Sequence, residues 1–174
     1  MRIKGALFQL TILILLFIVL GCGYKVMGRG GQFPEGITSL AISPLDNKTK
    51  EANLGAIFVS ALRREFIFRR EVEIVSEKKA DASLQGTITS LTVRSLAYDE
   101  EARATEYRVT IALDLLLVKQ GSNEILWRGD GITSSEEYIA DTNVIVEEGR
   151  KNSAIRQIAD DLAEVIYIKI KERF

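Results

Sequence analysis

"TEYRVTIALDLLL", residues 105–117, sets Tyr107, Val109, Ile111, Leu113, Leu115 and Leu117 at every second position, with Arg108, Thr110, Ala112 and Asp114 between them. Successive side chains of an extended strand point to opposite faces, so this alternation describes a long strand with one face buried and the other wet. Leu116 and Val118 break the polar side near its end. Upstream, residues 82–98 alternate over a comparable span, with Leu84, Gly86, Ile88, Ser90 and Thr92 on one side and Ser83, Gln85, Thr87, Thr89 and Leu91 on the other. The charged stretch YDEEARATEY (98–107) between the two is a hairpin tip. Downstream, Gln120-Gly121-Ser122-Asn123 has turn chemistry, and EILWRGDGIT (124–133) pairs back. Three consecutive strands joined by hairpins predict an antiparallel meander.

The flanking segments supply the second layer. ITSLAIS (37–43) suits a strand that Pro44 ends, and a polar loop follows in which Asn47 or Thr49 is a capping residue for the next helix. From 52 to 70, Leu54, Ile57, Phe58, Ala61, Leu62 and Phe66 recur at helical spacing, opposite Ser60, Arg63, Arg64 and Arg69. VEIV (72–75) is a short strand. The closing segment, 143–172, places Ile155, Ile158, Leu162, Ile166 and Ile170 on one face, with Lys169, Lys171 and Arg173 at the negative end of the helix dipole. The expected fold is α+β: a two-layer sandwich with a largely antiparallel four- to five-stranded sheet and two amphipathic helices on one face. The other sheet face is left polar and open to a partner.

The N-terminus is of another kind. Arg2 and Lys4 precede a stretch from Ala6 to Leu20 whose only polar side chains are Gln9 and Thr11, and Gly21-Cys22-Gly23 ends it. That run is shorter than the ~20 apolar residues that span a bilayer, so it reads as a secretory signal. Its end, Val19-Leu20-Gly21-Cys22, resembles the lipobox of bacterial lipoproteins. The resemblance implies cleavage before Cys22, a diacylglycerol on its thiol and an acyl chain on its new amine. One chain anchors only marginally, whereas three hold firmly. Cys22 is the chain's only cysteine, so no intrachain disulfide competes for it. The organisation expected is a signal over residues 1–21, an acylated cysteine and flexible tether over 22–36, and one domain over 37–174.

Composition narrows the function. The 23 basic and 24 acidic residues give a net charge of −1, and loss of Arg2 and Lys4 with the signal takes it to −3. A nucleic-acid partner is not indicated, since such binders carry a basic domain or stripe. Histidine is absent, and the one cysteine is committed to the anchor. The common zinc ligands and the Ser-His and Cys-His catalytic pairs are thereby removed, so neither a metal nor a cofactor is expected. GRGGQ (28–32) lacks the Gly-Lys-Ser/Thr ending of a phosphate loop. Acidic doublets such as Asp160-Asp161 and Glu100-Glu101 read as solvated surface. An enzyme is not expected; a hydrolase working with carboxylates alone would need two acids converging in a pocket.

GCGYKVMG (21–28), LAISPLDNKT (40–49), VEIV, ADASLQGTITSLTVRS (80–95), TEYRVTIALDLLL and EILWRGDG match in order the pattern of the lipopolysaccharide-assembly lipoproteins, and the chain resembles that family from Cys22 to its last helix. The resemblance implies an outer-membrane lipoprotein on the periplasmic side, held by its acyl chains. It would plug and help assemble the large β-barrel that translocates lipopolysaccharide, and bind lipopolysaccharide on its way to the cell surface. Gly23, in place of the aspartate that retains many lipoproteins in the inner membrane, agrees with that location. Family members use a basic residue near the central hairpin tip for lipid; here Arg103 is the candidate, with Arg94 and Arg108 on the flanking strands second to it, although the tip is mainly acidic. LAISPLDNKT followed by an amphipathic helix also resembles accessory lipoproteins that activate cell-wall synthases and the N-terminal domain of the Tol translocation protein. The long hairpin and EILWRGDG separate the chain from these. Labelled palmitate is expected to enter the chain, and Cys22→Ala to abolish labelling and leave an uncut precursor; label retained in that variant would overturn the lipobox reading.

Overall fold

The structure, a computed structural model, describes residues 33, 34 and 36–174; the signal and Cys22 lie outside the described residues. Its elements are β1 (Ser39–Ile42), β2 (Asp46–Asn47), α1 (Leu54–Arg69), β3 (Glu73–Ile74), a single 3-10 turn (Glu77–Lys79), β4 (Ala82–Tyr98), β5 (Ala104–Lys119), β6 (Ile125–Ile139) and α2 (Val144–Glu172). They form one six-stranded sheet in the order β3-β1-β4-β5-β6, with β2 pairing β4 beyond the end of β1.

The meander is present as expected: β4 pairs antiparallel with β5, and β5 with β6. The remainder corrects the expectation of a largely antiparallel four- to five-stranded sheet, because β1 runs parallel to both β3 and β4, and β2 parallel to β4. The sheet is mixed. The cause is connection length: β1 and β3 are joined through α1, and a helical crossover returns the chain in the direction in which it left. Asp46 and Asn47, expected in a loop, form the short β2, since Pro44 lacks the N–H that would carry β1 on without a break.

Asn47 and Thr49 do not cap α1. The Asn47 side chain accepts from Thr49 N at 3.0 Å and donates to the Glu51 carbonyl at 2.7 Å, closing the loop on itself, and the residue ahead of α1 is Asn53 in the left-handed region at φ 62°. The second helix is capped by Asn143, whose Oδ1 accepts from Ile145 N at 3.0 Å.

Phase is the second correction. A β-bulge between Ile88 and Ser90 adds a residue to β4, so the inward series Leu84, Gly86, Ile88 continues as Leu91 and Val93 opposite Ile111 and Val109 of β5. Ser90 and Thr92, expected on the apolar side, therefore face outward. β6 is also bulged, with Trp127 opposite Leu117, Gly129 opposite Leu115 and Ile132 opposite Leu113. The Trp127 ring lies over Gly129 in the core, where a Cβ would stand 2.5 Å from it. Its role there is packing, with the ring filling space that Gly129 leaves open.

Both helices cover the same sheet face. Phe58, Leu62 and Phe66 of α1, with Ile155, Ile158, Leu162, Ile166 and Ile170 of α2, join Val109 to Leu117 of β5 in a single core. The helices run parallel to each other, with Lys151 paired to Glu51 near their starts and Lys171 to Glu71 near their ends. The domain thus has a base and a tip. At the base lie the C-terminal ends of both helices, the start of β4 and the β5–β6 turn, where Gln120 N donates to the Asp81 carbonyl at 2.8 Å. At the tip lie the β4–β5 turn and the start of α2.

Gly86 is the closest backbone approach in the hairpin: an added Cβ would stand 2.3 Å from the Asp114 carbonyl oxygen and 2.4 Å from Leu115 Cδ2. Backbone cannot yield as a side-chain tip does, so Gly86→Ala is expected to destabilise the domain by about 1–3 kcal/mol or more in a urea titration.

Candidate functional site: the open sheet face and the hairpin tip

The site follows from the register. Rows of outward side chains cross the sheet on the face without helices: Arg94, Arg108 and Glu137; then Thr92, Thr110 and Ser135; then Ser90, Ala112 and Thr133. Thr110 and Ser135 share a hydroxyl hydrogen bond of 2.8 Å. Asp114 accepts from Gly131 N at 2.7 Å, holding the β6 bulge. This is a hydroxyl-rich surface with cations at its tip end, and it presents hydrogen-bonding groups that are not committed to holding two layers together.

The three arginines singled out by sequence differ in their surroundings. Arg103 sits in the β4–β5 turn, where its Nε donates to Asp99 at 2.8 Å and its Nη2 to Glu101 at 2.9 Å. The same Asp99 carboxylate accepts from the backbone N–H of Arg103 and Glu101, and these bonds, with the guanidinium beside it, hold it below the usual carboxylate range. Arg103 is a clasp of its own turn. Arg94 and Arg108 are brought directly opposite each other on the outward face. Arg108 Nε donates to Glu137 Oε1 at 3.0 Å, whereas Arg94 has no ion-pair partner among the described residues. Four residues separate this pair from the strand ends at Tyr98 and Ala104, about 13 Å at 3.3 Å per residue.

A residue whose part the sequence did not disclose is Asp81. One carboxylate oxygen accepts from Thr38 N (3.0 Å), Thr38 Oγ1 (2.9 Å), Ser39 N (2.9 Å) and Ser39 Oγ (2.8 Å), pinning the start of β1 to the start of β4. These donors lower its pKa from 3.8 to about 2. The Ala80-Asp81-x-x-Leu84-x-Gly86 segment is therefore structural in each of its parts: Asp81 clamps, Leu84 fills the core and Gly86 admits the neighbouring backbone.

The acidic doublets are engaged at the surface. Asp160 pairs with Arg64, Asp161 accepts from Gln157 at 2.8 Å, and Glu101 pairs with Arg103. Glu71, Asp81 and Asp99 are all held below their ordinary values, the direction opposite to that of a carboxylic acid kept protonated as a proton donor.

Residues 37–170 match the family model LptE, lipopolysaccharide-assembly, and the chain belongs to that family. No curated protein matches it in sequence. Among solved structures it is similar to lipoprotein B from Nitrosomonas europaea, at 16% identity over 86% of this chain and 90% of that one, with a TM-score of 0.55. It is also similar to the rare lipoprotein B from Shewanella oneidensis, at 13% identity over 76% of this chain and 92% of that one, with a TM-score of 0.51. At such identities the likeness is one of fold.

The Asp81 clamp predicts a pH dependence. A carboxylate with a lowered folded pKa stabilises above its unfolded value and ceases to as pH falls through the folded one, here from about 4 to about 2. Asp81→Asn is expected to lower the melting temperature at neutral pH and to flatten the loss of stability across that acid window, as followed by circular dichroism. An unchanged acid limb would show that the clamp is not what titrates.

Proposed function

We propose that the protein is an outer-membrane lipoprotein, anchored through an acylated Cys22 on the periplasmic side, that plugs and helps assemble the lipopolysaccharide-translocating β-barrel and takes part in lipopolysaccharide delivery. Family membership supports the process, and the observation that carries the plug role is the open sheet face. A three-strand surface of Ser, Thr, Arg and Glu, backed by a packed core, is chemically matched to the polar, hydrated interior of a large barrel. No catalysis is assigned to it.

Within this reading Arg94 and Arg108 are better placed than Arg103 for lipid phosphate. Two guanidiniums face each other across β4 and β5, and Arg94 has no carboxylate to displace among the described residues. Arg103 would have to leave both Asp99 and Glu101.

A C-terminally tagged chain, recovered from detergent-solubilised outer membranes in high salt, is expected to bring down one large β-barrel in stoichiometric amount. Recovery of a peptidoglycan synthase, or of nothing stable, would overturn the plug role and favour the synthase-activator reading.

A further inference from the structure

The base of the domain has a surface that the plug role leaves unused. On the last turns of α1, Phe68 is 77% exposed and Ile67 59% exposed, while Phe66 between the layers is fully buried. Phe68 is the most exposed aromatic among the described residues. Ile67 and Phe68 border a shallow depression between the helices, lined also by Ala61 and Ala163 and by the charged Arg64, Glu65, Arg70 and Asp160. Arg70 is exposed and has no ion-pair partner among the described residues. A side chain as apolar as Phe68 costs solvation where it stands, and folding alone gives no return for it.

Two further features say what covers it. The described chain begins at this end: Phe33 packs edge-on against Phe66, ring centroids 6.1 Å apart, within one helical turn of Phe68. Residues 23–32 separate Phe33 from Cys22, so at full extension the two α-carbons are at most ~40 Å apart, and a Gly-rich coil of that length averages roughly half as much. An anchored chain therefore keeps its base near the bilayer. The tip carries an excess of carboxylates, among them Asp99, Glu100, Glu101, Glu136 and Glu147, whereas at the base Arg70, Lys78, Lys79, Lys169 and Arg173 balance Glu71, Glu73, Glu77, Glu124 and Glu172, so the base is the end that an anionic surface repels less. Cations beside an exposed aromatic and an exposed isoleucine are the chemistry of a contact with anionic phospholipid headgroups.

The geometry points to a second membrane attachment: the C-terminal turn of α1, through Ile67 and Phe68 with Arg70, rests in the interfacial zone of an anionic phospholipid bilayer and fixes the base of the domain against it. The inference rests on the acylated Cys22 of the proposed function and adds an orientation to it, with the base of the domain at the bilayer surface.

The test uses the full acylated chain carrying Phe68→Trp, reconstituted alone into vesicles of phosphatidylethanolamine and phosphatidylglycerol with bromine on the acyl chains. After subtraction of the wild-type signal from the buried Trp127, the emission of residue 68 is expected to shift to the blue and lose more than half its intensity. Ser60→Trp, on the exposed side of the same helix two turns nearer the tip, is expected to keep its intensity. Vesicle flotation reports the anchor separately. Chain that floats with residue 68 unquenched would overturn this contact and leave the anchor standing; chain that does not float would overturn both. Equal quenching in neutral phosphatidylcholine would overturn the choice of an anionic surface.

Discussion

Five consecutive inward positions of β5, Val109, Ile111, Leu113, Leu115 and Leu117, are fully buried, and the rest of the structure is arranged around covering them. Each such side chain contributes roughly 1.5–3 kcal/mol when removed from water, so leaving the row exposed would cost more than most domains' net stability. The row is about 26 Å long at 3.3 Å per residue, more than a helix lying across the strands can cover, and the strands to either side of it widen the face to be covered. Two helices laid along the strands meet that need. The intervening residues, Arg108, Thr110, Ala112 and Asp114, keep the reverse face wet. A second layer on that side would bury unpaired hydroxyls and charge, so one-sided covering follows from the same alternation.

Direction follows as well. Each helix comes after a strand that has run away from the base, β1 with its continuation β2 for α1 and β6 for α2, and each must return across the sheet. The two are therefore parallel, and both C-termini gather at the base. Carbonyl ends of helices favour cations, which gives Lys169, Lys171 and Arg173 a place at that end. The tip, by contrast, is built from a turn in which carboxylates accept backbone N–H groups, as Asp99 does. The unequal charge of the two ends is thus partly a product of topology, and partly of residues such as Lys78 and Lys79 that no helix end requires.

The meander and both helices were legible in the sequence because their signals are local: a period of two over β5, a period near 3.6 over α1 and α2. What escaped is non-local or interrupted. β2, at two residues, is too short for any period; β3 was visible as VEIV, but the parallel pairing of both strands is decided by a crossover. The β4 bulge did leave a trace, since Leu84 and Ile88 are an even distance apart whereas Leu91 follows Ile88 by three, but a run of small polar residues between them masks the slip. β6 continues to Ile139, past the expected 133, because Ser134 and Glu136 stand at inward positions near the tip, where the helix layer begins and cover is incomplete. At the candidate site the types of residue were visible and their adjacency was not: Asp99 and Glu101 lie four and two places from Arg103 and claim it, while the fourteen positions from Arg94 to Arg108 vanish only when the hairpin closes.

That adjacency is the least economical feature of the sheet. Like charges directly opposite on antiparallel strands are destabilising, by up to ~1 kcal/mol relative to a neutral pair, and Glu137 on the third strand offsets one of the two. Surrounding positions on the same face show what stability alone would select, namely Thr92 beside Thr110 and Thr110 hydrogen-bonded to Ser135. The Asp81 clamp, Gly86 and the buried row each have a folding reason at their own position. Arg94 opposite Arg108 has none: among the described residues no ion pair ties Arg94 to the fold. In the role proposed for the pair, a binding partner that brings a negative group to that face would turn a mild repulsion into an attraction made by both arginines at once.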